Sequence, residues 1–256
     1  MSNVMEEIEL QRTLVAEKKI RYGFDFSQYY HQRYNELILE CLTSRPGDTV
    51  LDCGCGIGIL LPALEKRYQK IIGLDLSIDH LVQARTLVPR SRLLVGDIAA
   101  LPVAPRSFDH VICRAALYRL PDVRRGFGGL FDILKEGGDL VVSGPIGDSR
   151  VVRFLKTAIK RRTTKDYKSA ECTYTSRDWI QMAQEAGFQT VRWFNIGYVA
   201  LPLLGYPEES HVMRYLPFRM PLAKLLLRLD RLLVDIPWIN THSWHAAFHF
   251  RKPRTS

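Results

Sequence analysis

The run from Val50 to Gly58, Val-Leu-Asp-Cys-Gly-Cys-Gly-Ile-Gly, holds the chain's densest group of residues able to do chemistry. Gly54, Gly56 and Gly58 carry no Cβ, so the backbone there can turn sharply and come close to a ligand. An apolar strand pattern precedes the glycines and a helical pattern follows them, and a glycine-rich strand-to-helix turn is a nucleotide-binding device. The neighbours narrow the kind of nucleotide. A dinucleotide fingerprint needs glycine at 59 or 61, where the chain has Ile59 and Leu61, and no Gly-Lys-Ser or Gly-Lys-Thr follows to make a phosphate-cradling loop. Asp52, at the strand end, repels pyrophosphate and suits a ligand with positive charge. Cys53 and Cys55 form a C-x-C pair with no partner motif for zinc, so they read as small apolar residues in a tight loop, and no metal site is expected.

Those residues need elements to hold them. Strands are expected at 48–52, 70–75, 92–95, 108–113 and 139–143, and helices at 58–68, 78–89 and 121–135, the last stopped by Gly137 and Gly138. Ser77 is placed to cap the second helix, whose apolar positions are Ile78, Leu81, Val82 and Ala84. Strands alternating with helices of this length imply a parallel sheet covered on both faces, with ligands bound beyond the carboxyl ends of the strands. In the second half, residues 175–178 read as a capping box opening a helix over 179–186, with strands at 188–199 and 241–251. About forty residues rich in Pro, Leu and aromatics separate those two strands, far more than a hairpin connection requires. The expected fold is thus α/β, a doubly wound, mostly parallel seven-strand sheet with an N-terminal helical segment and an insertion between the last two strands. Its expected organisation is one domain over 1–256: a helical lid at 1–44, a ligand-binding core at 45–145, and a substrate-side half at 146–256 with the insertion near 200–240.

With these motifs in place, the sequence resembles the class I S-adenosylmethionine-dependent methyltransferases, especially the small-molecule group. Asp52 to Gly58 matches the family's acidic residue followed by G-x-G-x-G, and Asp75 stands where a second-strand carboxylate binds both ribose hydroxyls. Gly96-Asp-Ile-Ala-Ala-Leu-Pro102 matches G-D-x-x-x-L-P, and Leu134-Lys-Glu-Gly-Gly-Asp-Leu140 matches L-x-P-G-G-x-L with Glu136 in place of proline. The resemblance implies S-adenosylmethionine as cofactor, contacted by Asp52, Gly54, Cys55, Gly56, Gly58, Asp75, Leu76, Asp97, Ile98 and Cys113. Leu76 would pack on the adenine, Asp97 would accept from its amino group and Ile98 would offer a backbone N–H. In-line transfer of the methyl group needs mainly orientation of donor and acceptor, with a base for some acceptors. No side chain is marked as that base by its spacing. Tyr118, after the fourth strand, and Tyr22 and Tyr30, in the N-terminal approach with Tyr29, His31 and Arg33, are candidate substrate contacts; packed aromatics explain them equally well. His245 and His249 read as structural histidines away from the pocket mouth.

Charge and hydropathy bound the partners. The chain has 256 residues, 46% of them hydrophobic, and a net charge of +9 from 36 Lys and Arg against 27 Asp and Glu. No run is apolar enough to span a membrane, the acidic start lacks a secretion signal, and five scattered cysteines fit a reducing compartment, so a cytoplasmic location is expected, with peripheral membrane contact as an option. Eight basic residues between Arg150 and Lys168, opposed only by Asp166, interleave with Val151, Val152, Phe154, Leu155 and Ile159. A second amphipathic run carries Leu222, Leu225, Leu226, Leu229, Leu232, Leu233 and Ile236 at helical spacing, with Lys224, Arg228 and Arg231 on another side. Both fit docked helices or an anionic membrane surface. Sparse aromatics argue against nucleic acid. With Leu201, Pro202, Leu203, Leu204 and Tyr206, the insertion points to an apolar pocket and a small hydrophobic or aromatic acceptor. A methyltransferase acting on RNA or protein and a non-catalytic binding protein that keeps the fold are the alternatives.

Overall fold

The computed structural model describes residues 22–154, 174–205, 212–234 and 236–254. Seven strands form one sheet: β1 (Thr49–Cys53), β2 (Lys70–Asp75), β3 (Arg92–Val95), β4 (Phe108–Arg114), β5 (Leu134–Pro145), β6 (Gln189–Ile196) and β7 (His245–Arg251). Their spatial order is β3-β2-β1-β4-β5-β7-β6. The first five pair in parallel, and β7 runs antiparallel to both β5 and β6. The expected doubly wound, mostly parallel sheet is present, and so is the insertion between the last two strands.

Side chains alternate across the sheet into two cores. Val50, Ile112 and Val141 face one; Leu51, Cys53, Val111, Cys113, Leu140 and Val142 face the other. The first core is closed by α1 (Asp25–Leu39), α2 (Leu61–Glu65), α3 (Ile78–Leu87) and α7 (Arg219–Leu233), the second by α4 (Val123–Ile133) and α5 (Ser176–Glu185). Short helices α6 (Val212–Tyr215) and α8 (Pro237–Asn240) flank α7. Two expected caps are formed: Ser77 accepts from the His80 amide at 3.4 Å, and Thr175 and Asp178 make both halves of a capping box.

Several boundaries differ from expectation for local reasons, and the strand expected over 139–143 runs from Leu134 to Pro145. The helix expected over 58–68 shrinks to α2 because Gly58 sits at φ +84°, outside helical backbone. The helix expected over 121–135 starts where Asp122 accepts from the Arg125 amide. It ends at Ile133 because Leu134 already pairs with Phe108, so sheet pairing and not Gly137-Gly138 stops it. The strand expected over 241–251 begins only at His245, since Pro237 opens α8 just before it. Ile78 and Val82 face outward on α3, which buries Leu81 and Ala84 instead. Most of the basic stretch after Phe154, the segment around Tyr206 and the first 21 residues lie outside the described residues.

The connections from β1 run outward to β2 and β3, and the chain then crosses back to β4 and β5 on the other side. This reversal opens a crevice at the carboxyl ends of β1 and β4, the usual binding place in such sheets. At the opposite end, Asp139 accepts from His249 Nε2 at 2.8 Å and Arg251 Nε at 2.9 Å, while His110 bonds Asp48 at 3.0 Å. His249 is therefore structural, as expected. Burial works to raise the Asp139 carboxyl, but hydrogen bonds from His110, His249 and Arg251 outweigh it and hold it well below the usual range.

Candidate functional site

The crevice is lined first by the glycine turn. Gly54, Gly56 and Gly58 all have positive φ, at +78°, +56° and +84°. A Cβ on Gly54 would lie 2.4 Å from Ala116 Cβ, so glycine there lets the turn press against the chain leaving β4. The amides of Gly54 and Cys55 both donate to the Leu74 carbonyl, at 2.7 and 2.9 Å, which pins the turn to the end of β2.

Asp75 then organises the rim. Its carboxylate accepts from the Gly56 amide at 2.7 Å and the Ser77 amide at 3.0 Å, and bonds His80 Nδ1 at 3.1 Å. His80 is wholly buried in the first turn of α3, so it fixes the rotamer of Asp75 from below. Leu76, half-buried, follows immediately, and Asp97 accepts from the Ala99 amide at 2.8 Å in a turn that presents half-buried Ile98.

Asp52 lies deeper, 2% exposed, and its Oδ2 has no hydrogen-bond partner. Burial pushes its carboxyl up to about 7; Arg114 opposes the shift and Asp75 adds to it. A buried carboxylate with an orphaned oxygen is the polarity a cationic ligand would satisfy. Cys55 packs in the core with Leu60 and Leu61, whereas Cys113 is wholly buried beside Cys53 on the other side of the sheet, so contact between a ligand and Cys113 would come through its backbone.

The roof of the crevice is α1. Asn35 donates to the Ile59 carbonyl at 3.1 Å, tying the helix to the glycine turn. Arg114, the last residue of β4, donates from Nη2 to His31 Nδ1 at 2.7 Å, and its guanidinium lies 4.7 Å over the Tyr34 ring. Because Nδ1 accepts, the His31 proton sits on Nε2, which donates to the Gly205 carbonyl at 3.2 Å. One neutral histidine thereby links α1, β4 and the wide helical turn Leu201–Gly205 of the insertion. The Arg114 Nε is buried without a partner.

Of the expected substrate contacts, Tyr22 packs its half-buried ring 4.7 Å from His31, and Tyr30 is buried between α1 and Gly205. Tyr118 packs against Gly144 and lies under Arg119, on a 3₁₀ turn after β4. His245 corrects the expectation of a residue remote from the pocket. It pairs with Pro145 at the carboxyl end of β5, and its Nδ1 is 3.4 Å from the Tyr34 hydroxyl. Burial raises the Tyr34 phenol against the pull of Arg114, so Tyr34 stays protonated. Sequence reading passed over Arg114, Tyr34 and His80; the available signal was a lone arginine ending an apolar strand. Backbone strain adds a marker here, since Ala115, directly after β4, has φ +54°.

Known proteins are similar to this chain in sequence and fold. Residues 51–142 match the family described as "Methyltransferase domain". A demethylmenaquinone methyltransferase of Renibacterium salmoninarum is 28% identical over 188 residues, covering 66% of this chain and 79% of that protein. A malonyl-[acyl-carrier protein] O-methyltransferase of Salmonella typhimurium is 31% identical over 122 residues, covering 46% and 49%. The chain spans about half the length of several curated relatives it matches. Among solved structures, the [4+2]-cyclase SpnF superposes with a TM-score of 0.63 at 19% identity, covering 87% of this chain and 81% of that one. At that identity the likeness concerns the fold alone, and its bearer is named a cyclase, so the reaction has to be argued from the site. Sheet order, the positive-φ glycine turn, the methyltransferase domain matched over residues 51–142 and these relatives together make the chain similar to the class I S-adenosylmethionine-dependent methyltransferases.

Proposed function

We propose that the protein transfers the methyl group of S-adenosylmethionine to a small hydrophobic or aromatic acceptor. The observation that carries this is the orphaned Asp52 oxygen at the crevice between β1 and β4, beside a turn of three positive-φ glycines. The residues fit the cofactor. Asp52 would supply negative charge for a sulfonium or ammonium, and the rim carboxylate Asp75 would accept from ribose hydroxyls. Leu76 offers an apolar wall for the adenine, and Asp97 and Ile98 a polar edge. Gly54, Cys55, Gly56 and Gly58 would bring backbone close to the cofactor, and Cys113 would contribute its backbone from the floor.

S-adenosylmethionine, when bound, supplies a methyl group already activated by the positive sulfur. The chain's own task is then to orient the acceptor and exclude water. α1 does this by closing the carboxyl ends of β1 and β4 through Asn35, His31 and Tyr34. Tyr22, Tyr30 and Tyr118 form the acceptor-side wall in this reading, with residues 1–44 as the lid, 45–145 as the donor half and 146–256 as the acceptor half. Names of relatives support a small acceptor, one a quinone precursor and another a carrier-bound malonyl group. No helix among the described residues is long and apolar enough to cross a membrane.

The test is a product assay. The purified chain is incubated with S-adenosylmethionine and a panel of demethylated quinones, phenols and short acyl carboxylates, and S-adenosylhomocysteine is quantified by mass spectrometry. Acceptor-dependent formation supports the proposal. Donor binding without turnover on any acceptor class, RNA and protein extracts included, refutes methyl transfer and favours a binding protein.

A further inference from the structure

The sequence shows one leucine stripe on the insertion helix, but the structure splits α7 into three sides. Ala223, Leu226 and Asp230 are buried against the core. Asp230 fixes the rotation of the helix: its carboxylate accepts from the backbone amides of Tyr198, Val199 and Ala200 at 3.1, 2.8 and 3.2 Å. Arg219 adds an ion pair to Asp25 of α1 at 2.9 Å.

With rotation fixed, Leu225, Leu229 and Leu232 point outward at 52%, 39% and 66% exposure. Phe218, two turns before Leu225, shares their azimuth and is 73% exposed. Lys224, Arg228 and Arg231 repeat the same spacing one residue earlier, which places an exposed cationic row about 100° around the helix. Tyr215 and Trp238, both largely exposed, stand before and after the helix. An apolar strip with a parallel basic row and aromatics at its ends is the pattern of a helix lying in a lipid interface.

We propose that this outer side of α7 docks on an anionic lipid surface, the leucines entering the acyl boundary and the cationic row contacting headgroups. Charge selects this occupant. A second copy would bring the same three cations to the contact on a chain already at +9, and a polyanion such as nucleic acid would leave the leucine strip unmatched. The inference rests on the surface and stands apart from the methyl-transfer reading.

The experiment is co-sedimentation of the full chain with vesicles of phosphatidylcholine alone or doped with phosphatidylglycerol, at low salt and at about 0.5 M salt, where screening is nearly complete. Two variants accompany it: Leu229→Glu, and Lys224→Gln with Arg228→Gln and Arg231→Gln. All four positions are exposed, so melting curves should match wild type. Binding to anionic vesicles is expected at low salt only, weakened on the order of a hundredfold by the triple variant and lost with Leu229→Glu. Absence of wild-type binding at low salt overturns the proposal, as does equal binding by both variants. A dimer in light scattering that Leu229→Glu dissolves, without vesicle binding, would assign the strip to self-association instead.

Discussion

Replacing Asp52 by asparagine should stabilise the ligand-free protein at alkaline pH and destabilise it at acid pH. The carboxyl is pushed from 3.8 to about 7, chiefly by burial. Three pH units at about 1.4 kcal/mol each put the cost of the ionised side chain near 4 kcal/mol. Between the two values the folded chain holds one more proton than the unfolded chain. Wild-type stability therefore falls as pH rises from about 4 to about 7 and levels off above that. Asparagine removes the charge but buries an amide next to the same unpartnered site, at about 1–3 kcal/mol. The net gain is about 1–3 kcal/mol at pH 8, and below pH 4 only the loss remains. Urea unfolding of both proteins from pH 4 to pH 8 measures the difference directly. A difference that stays constant with pH would refute the reasoning, since Asp52 would then be ionised throughout the range.

Other expectations follow from the same contacts. Asp139→Ala removes the acceptor shared by His249 and Arg251 and should cost about 3 kcal/mol, a fall in Tm of roughly 6–12 °C by calorimetry. Because the Asp139 carboxyl is depressed in the fold, its contribution is present above about pH 4 and lost below it, so the variant should also show a flatter acid limb. Asp230→Ala leaves three backbone amides without their acceptor and should expose the 198–205 segment to hydrogen exchange and proteolysis while the sheet stays protected. Ala115→Gly relieves a left-handed backbone and should raise stability by about 1 kcal/mol in urea.

What could be read from the sequence was local. Ser77, the Thr175–Asp178 box and the 70–75 strand depend on neighbours within a few residues, and the structure keeps them. Beyond the alternation of strands and helices that implied the sheet, side-chain contacts between distant partners were hidden. Arg114 gains its meaning from His31, 83 residues away, and the His31 tautomer from Gly205, 174 residues away. His245 reaches the crevice only because β7 runs antiparallel to β5, which turns its first residue toward the carboxyl ends. The sequence left the leucines of α7 open between docking on the core and facing a membrane surface, because the rotation of the helix is set by Asp230 and amides about thirty residues upstream. Helical spacing fixes which residues share a side, and only tertiary contacts decide which side is covered.

Calorimetric titration of the purified chain with S-adenosylmethionine and S-adenosylhomocysteine at pH 6 and pH 8 tests the central claim most directly. Both should bind at one site, and the donor, which carries a sulfonium charge that the product lacks, should gain on the product as Asp52 ionises. Asp52→Asn should erase that gain, and Asp75→Ala should weaken both ligands at least tenfold. If neither ligand releases heat, or both variants titrate like wild type, the crevice between β1 and β4 is not the donor site.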